Sequence, residues 1–280
     1  MEQARPGRTV ELEVLALDGA ARATKADTLV TEEPLELRMV AGGVTKTLAI
    51  TMRTPGNDFE LAAGFVYNEG ILRDRDAIAQ ITYCLDPAID VDQRYNVVNV
   101  ELAATALPEL DRFERHFTTS SACGVCGRAQ LDSLRDLGIA PVDDDVTITP
   151  ELLYSLPSRM RQAHRVFEST GGLHAAALFD ERGSVIVARE DVGRHNAVDK
   201  LVGWGLLEGR LPLSRSVLMV SGRAGYEILQ KSAMARIPIV CSVSAPSSLA
   251  VTLAREFNIT LAGFVRNERA NIYAAPQRIA

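Results

Sequence analysis

The chain is poor in cysteine: four in 280 residues, at positions 84, 123, 126 and 241, with one close pair among them. That excludes the disulfide framework of a small secreted domain. It also lacks a surplus of positive charge. Its 30 basic and 36 acidic side chains leave a net charge of −6, which argues against a nucleic-acid or polyanion binder acting through bulk charge. No apolar run follows a basic start in the first 25 residues, so no secretory leader is expected. The longest uncharged stretch, Ile237–Ala254, nears a membrane span in length but holds five Ser or Thr and two Pro. It reads as a buried strand, a turn and a helix start, with no membrane partner implied. These absences together predict a cytoplasmic protein.

What is present is a globular composition, 47% hydrophobic and 24% charged, long enough for one or two cores. The charge is unevenly spread. Residues 1–170 carry 17 basic and 27 acidic side chains, net −10, and residues 171–280 carry 13 and 9, net +4. An anionic ligand would be drawn to the second part.

Residues 1–8 read as a tail. Strand-like runs follow at Thr9–Leu17, Leu35–Val40 and Val44–Met52, with Gly42-Gly43 as a hairpin turn. After the break at Pro55-Gly56-Asn57, Asp58 is the expected N-cap of a helix reaching Glu69 and stopping at Gly70. Strands fit Ala79–Leu85 and Tyr95–Ala103, giving an α+β unit over 9–146. In 147–280 a helical pattern at Glu151–Val166, which Pro157 should break or kink, precedes a hairpin of His174–Phe179 and Ser184–Arg189. Helices at 192–207, 224–235 and 247–257 then alternate with strands at Ser216–Val220, Ile237–Ser242 and Ile259–Val265. The pattern predicts an α/β fold with a mostly parallel sheet and helices on its faces.

In such a sheet, ligands sit beyond the carboxyl ends of the strands. Four strand exits carry chemistry suited to phosphate: Glu190 through Asn196, Ser221 through Gly225, Ser244 through Ser248, and Phe264 through Arg269. Three of them open helices, whose free N–H groups favour anions, and Arg194, Arg223, Arg266 and Arg269 add possible bidentate contacts. Any one of these turns is equally well an ordinary cap or turn. Four together in the net-positive part point to a phosphate-bearing ligand, a nucleotide or larger.

The pair Cys123-Gly124-Val125-Cys126 follows the hydroxyl-rich Thr118–Ser121 and runs into a helical pattern over Arg128–Leu137 that stops at Gly138. A mobile arm ending at a helix N-terminus lowers a thiol pKa from about 8.5 toward about 7. Three chemistries compete: structural zinc, a thioredoxin-like dithiol, and sulfur carried as a persulfide. Zinc needs four ligands, and there is no second C-x-x-C. A redox dithiol belongs after the first strand of a βαβ unit. The persulfide reading needs one activated thiol, here Cys123 as the outer and more exposed member. His195, with Asp199 one turn on, is a candidate proton donor or simply a capping residue. Lys200 and Lys231 are phosphate contacts or solvated side chains.

Several segments resemble the FdhD family of formate dehydrogenase accessory sulfurtransferases. They are Thr54–Leu61 with Gly64-Phe65, Ser121–Gly127, Gly172–Ala176, Glu190–Lys200, Ser221-Gly222-Arg223, Ser244-Ala245-Pro246 and Gly263–Arg266, in that order over nearly the whole chain. The resemblance implies a cytoplasmic sulfur carrier that takes sulfur from a cysteine desulfurase. It would pass that sulfur to the bis(molybdopterin guanine dinucleotide) molybdenum cofactor, the bound substrate, for formate dehydrogenase. It implies a persulfide on Cys123, with Cys126 as a resolving or protecting thiol, and cofactor contacts from Phe264, Val265, Arg266, Asn267, Glu268 and Arg269. Arg194, His195, Ser221, Gly222, Arg223 and Ser244 would join them, and a guanine nucleotide would be a partial ligand. It further implies a homodimer and a second domain like the cytidine deaminases, a three-layer sandwich beside the smaller α+β domain. The zinc deaminase signatures H-x-E and P-C-x-x-C are replaced here by His195-Asn196-Ala197 and Ser221 through Gly225, so no zinc is expected. The competing readings are a non-catalytic cofactor chaperone and a zinc-dependent hydrolase.

Overall fold

The computed structural model describes residues 7–84, 90–110, 134–163 and 171–280. Its first feature is a two-stranded ribbon, β1 (Thr9–Asp18) with β2 (Ala21–Val30), that joins no larger sheet. Next come β3 (Glu33–Ala41), β4 (Val44–Arg53), α1 (Asp58–Asn68), β5 (Ile78–Tyr83) and β6 (Val97–Leu102). These strands form a sheet in the order β4-β3-β6-β5, with β3 and β6 parallel. Gly42 and Gly43 both take positive φ, 55° and 80°, as a two-residue hairpin between β3 and β4 requires. Leu35, Leu37 and Met39 alternate toward Leu61, Ala62 and Val66 of α1, which makes this unit's core.

The second unit contains α2 (Pro150–Ala163), β7 (His174–Asp180), β8 (Val185–Asp191), α3 (Arg194–Leu207), β9 (Ser216–Val220) and α4 (Tyr226–Met234). It ends with β10 (Ile239–Ser242), α5 (Ser248–Glu256), β11 (Thr260–Arg266) and β12 (Arg269–Ala274). The six strands run in the order β12-β11-β10-β9-β7-β8. Only β9–β10 and β10–β11 are parallel; β7–β8, β7–β9 and β11–β12 are antiparallel. The expectation of a mostly parallel sheet is thus corrected to a mixed one. Tight turns at both ends of the domain add hairpins, whereas parallel neighbours need the helical crossovers α4 and α5. One face of the sheet packs on α3, α4 and α5 through residues such as Val198, Leu229 and Leu253. The other packs on Leu153, Leu156 and Met160 of α2.

Three further local expectations change. The helix α1 is capped by Asn57 in the left-handed conformation (φ 59°), not by Asp58. Asp58 is buried and accepts hydrogen bonds from Arg53 Nη2 at 3.2 Å and Tyr83 Oη at 3.1 Å. Pro157 does not end α2, which runs through it. The strands β2, which carries small and polar residues in place of an apolar alternation, and β12, whose Ala270, Ile272 and Ala274 alternate over six residues only, were not anticipated.

The two units meet where α1 crosses α3. Gly64 and Gly203 face each other there. A methyl group on Gly64 would overlap the Asp199 carbonyl oxygen, and one on Gly203 the Glu60 carbonyl oxygen. The backbones therefore touch as only glycine permits. Around this crossing lies a buried polar lattice. Lys200 Nζ sits 2.7 Å from Asp191 Oδ2 and donates to the Thr54 carbonyl at 3.0 Å. Asp191 accepts from the Thr54 N–H at 3.2 Å, and the Val192 N–H donates to Thr54 Oγ1 at 3.2 Å. Lys231 Nζ and Asn68 Nδ2 each lie 2.7 Å from Asp199 Oδ1. Burial holds the Lys200 amine below the ordinary lysine range, with the Asp191 carboxylate opposing it.

Since neither backbone can retreat, Gly203→Ala should lower unfolding free energy by at least about 1–3 kcal/mol, the usual cost of overpacking. Urea denaturation of the purified variant measures it.

Candidate functional site at one edge of the mixed sheet

Strands β8, β9, β10 and β11 all point the same way, so their carboxyl ends, and the start of β7 at His174, share one edge. The four turns singled out in the sequence do come to this edge, but they differ in what their groups are doing.

The exit of β8 spends its donors inside the protein. The Gly193 N–H donates to Asp191 Oδ1 at 2.8 Å, Asn196 Nδ2 donates to the same oxygen at 3.0 Å, and Val192 is held by Thr54. Asp191 Oδ1 thereby closes its own turn, while the first turn of α3 receives no side-chain cap. Lys200 and Lys231 are likewise committed to the buried pairs with Asp191 and Asp199, so they are neither phosphate contacts nor solvated side chains.

The exit of β9 is partly knitted. Ser221 Oγ accepts from the Ala175 N–H at 2.9 Å, extending the β7–β9 pairing by one step. A side chain on Gly222 would crowd the His174 ring at 3.2 Å and lie 3.7 Å from Arg194 Cδ. At the exit of β10 the Ser244 carbonyl accepts from Ser242 Oγ at 2.7 Å and from the Phe264 N–H at 3.2 Å, while Ser247 caps α5 by accepting from the Ala250 N–H.

The exit of β11 is the open one. Arg266 pairs with Arg269 across a two-residue turn, and both turn residues, Asn267 (φ 50°) and Glu268 (φ 55°), are left-handed. Phe264 (φ 54°) is left-handed too, beside a bulge in the β11–β12 pairing. Non-glycine residues in this region cost of order 1–3 kcal/mol each. The bend sets the Arg266 guanidinium 6.0 Å from the Phe264 ring centroid. A cavity of about 400 Å³ lies beneath α2, lined by Tyr154, Met160, Arg161, Ser221, Val265, Arg266 and Asn267 among others. A second of about 540 Å³ lies beside the hairpin, lined by Phe264, Arg266, Asn267, Arg269, Ala270 and Asn271. Among the described residues, the charged side chains lining either are all arginines: Arg161, Arg266 and Arg269. Among the described residues, Arg194, Arg223, Arg266 and Arg269 enter no ion pair. The Nε of Arg194 is buried without a hydrogen-bond partner.

Two histidines flank this edge. His195 Nε2 is 3.5 Å from Glu227 Oε2 and makes no hydrogen bond. Its pKa is pushed below the ordinary 6.5, first by burial, against the raising effect of Glu227. His174 is lowered as well, by burial and then by the Arg194 charge. His174 and the α2 residues Tyr154, Met160 and Arg161 were missed in the sequence. The spacing of Leu153, Leu156 and Met160 marks a sheet-facing stripe, but nothing in it indicates that the helix end overhangs the strand exits.

The predicted sulfur site, Cys123 and Cys126, lies outside the described residues. The chain leaves the first core at buried Leu110 and is next described at Leu134, buried in the second. The Gly138 N–H donates to the Arg135 carbonyl and that of Ile139 to Leu134, closing the expected helix end. The other two cysteines are core residues: Cys84 is buried, and burial pushes the Cys241 thiol far up, so it stays protonated.

A sequence profile of the FdhD/NarQ family matches residues 30–280. The chain belongs to the FdhD/NarQ family. Among its relatives is the sulfur carrier protein FdhD of Streptomyces avermitilis, 53% identical over 278 residues, covering 98% of this chain and 97% of the relative. The sulfur carrier protein FdhD of Mycolicibacterium paratuberculosis is 51% identical over 91% of this chain and 93% of its own. That of Sulfurisphaera tokodaii is 41% identical over 96% and 98%. A crystal structure described as a formate dehydrogenase accessory protein from Desulfotalea psychrophila superposes with a TM-score of 0.75. At 24% identity it covers 98% of this chain and all of its own, so it shares the fold of this FdhD/NarQ member. Among the described residues, no helix is long and apolar enough to cross a membrane.

Both imidazoles of this edge should titrate below 6.5. The unfolded chain binds protons that the folded site refuses, so each contributes stability that is complete above pH 6.5 and lost as the pH falls through its folded pKa. Histidine titration by NMR tests this, and Glu227→Gln should move His195 further down while leaving His174 in place.

Proposed function

We propose that this chain is a sulfur carrier in formate dehydrogenase maturation, with Cys123 as the transfer residue and the sheet edge as the cradle of the acceptor. The observation that carries the reading is the pair of cavities sharing Arg266. They are lined by Arg161, Arg266 and Arg269, which enter no ion pair among the described residues, and this suits a ligand bearing several phosphates. The names of the relatives, sulfur carrier proteins, support the same role.

The Cys123 thiolate attacks the terminal sulfur of a cysteine desulfurase persulfide; the S–S bond there breaks and the desulfurase thiolate leaves. The S–S bond of the new persulfide then breaks: its outer sulfur takes two electrons from the reduced molybdenum of a bis(molybdopterin guanine dinucleotide) substrate and becomes a sulfido ligand there, the Cys123 thiolate leaves, and Cys126 resolves or protects Cys123. The guanine dinucleotide arms lie against Arg161, Arg266, Arg269 and the Phe264 ring. Asn267 and Glu268 contribute the shape of the turn, and neutral His174 and His195 are proton donors or acceptors beside it. The second domain follows a cytidine-deaminase-like plan, supported by the sheet having α3–α5 on one face and α2 on the other. The protein works in the cytoplasm as a homodimer, with the desulfurase and formate dehydrogenase as partners.

Incubation with a cysteine desulfurase and cysteine should add the mass of one sulfur, and Cys123→Ala should abolish the gain. No gain, with nucleotide binding intact, would favour the chaperone reading, and stoichiometric bound zinc would favour the hydrolase. In a GDP titration, Arg266→Ala should weaken binding by roughly tenfold to a hundredfold, as expected for loss of a charge-assisted hydrogen bond, without preventing sulfur loading. Unchanged affinity would count against this cradle.

A further inference from the structure

The β1–β2 ribbon is built as though something covers it. Each strand is ten residues long, no residue of either is buried, and neither pairs with any other strand. A two-stranded ribbon alone in water is marginally stable at best. It is tied to the body at its base by the Arg8–Glu190 ion pair at 3.1 Å, and the Thr31 N–H donating to the Arg8 carbonyl closes that base.

The large apolar side chains exposed among the described residues fall on three elements. Val10, Leu12, Leu15, Leu17 and Leu29 lie on the ribbon, Val44, Ile50 and Met52 on β4, and Val185 and Ile186 on β8. Cross-strand register puts Val10, Leu12 and Leu29 on one face of the ribbon and Leu15 and Leu17 on the other, so both faces present apolar surface. Ile50 (68% exposed) and Met52 (47% exposed) share the face of β4 opposite to α1, on an edge strand of the first sheet. Contiguous apolar surface of this kind marks an interaction site.

We propose that the ribbon is an arm reaching a second copy of this chain, and that the second copy's own ribbon and its Ile50 and Met52 cover it. Two observations favour a copy over a different protein. The first is area. A ten-residue ribbon is about 34 Å long and about 10 Å wide, or about 340 Å² a face. Two faces from each of two copies give about 1,400 Å², within the range of stable interfaces, whereas a one-way contact supplies half. The second is charge. On β1 the charged residues are Glu11, Glu13 and Asp18, and on β2 they are Arg22, Lys25 and Asp27, net positive, so a two-fold arrangement setting β1 over the partner's β2 brings opposite net charges together.

The inference rests on the homodimer proposed above and adds its surface. Sedimentation of the full chain over a dilution series tests it. The unmodified protein should dimerise, and both Leu12→Glu/Leu15→Glu and Ile50→Glu should raise the dimer dissociation constant at least tenfold. All three positions are exposed, so the fold should survive. Val185→Glu should have no effect. Hydrogen exchange at residues 9–30 should slow as protein concentration rises. A monomer at every concentration would overturn both the homodimer and the arm. A dimer indifferent to the ribbon and β4 variants, or weakened equally by Val185→Glu, would overturn the arm alone. Neither result alters the mass test for sulfur on Cys123.

Discussion

The joint between the two units depends on how closely α1 and α3 approach. With no side chain on Gly64 or Gly203, each helix backbone rests on the other. That closeness lets Thr54, from the loop before α1, reach Asp191 and Lys200. Lys200 and Asp191 are 1% and 0% exposed, and a bare charge at such depth is costly. Their pairing is therefore tolerable only if the loop keeps its register, and the loop keeps it only if the helices touch. The start of α3, and with it Arg194 and His195, is fixed by this joint.

The sequence was legible where local chemistry decides and misleading where partners do. Gly42-Gly43, the Gly70 stop of α1 and the alternation of Leu35, Leu37 and Met39 each point to one structure, and that structure is present. In contrast, β2 is a strand because β1 lies beside it; Ala21–Val30 has no apolar period of its own. The two buried lysines could not be told from surface ones, because α3, which carries Lys200, and α4, which carries Lys231, are each buried along most of their residues and leave little polar face to read. The gathering of the four turns was legible from the alternation of elements. Which turn is open was not, because the pairing of Asp191 with Gly193, Asn196 and Lys200 forms only once the chain is folded.

Electrostatics follow the same division. The +4 of residues 171–280 is a sum over unlike populations. Lys200, Lys231, Arg189, Arg215 and Arg236 are matched by carboxylates, several of them buried. The arginines of the sheet edge have no such match among the described residues, so the positive field is concentrated where the cavities are.

The filled exit of β8 and the open exit of β11 stand at opposite ends of the strand order, with β7, β9 and β10 between them. One end of the edge is used to join the two units and the other is left for a guest. The side chains lining the cavities at Arg266, chiefly on α2, β11 and β12, are not those of the buried lattice at the α1–α3 joint, and the central strands lie between. Loading and unloading at that end should leave the relation between the two units as it was. In thermodynamic terms the edge is a sheltered berth beside a hinge that does not turn.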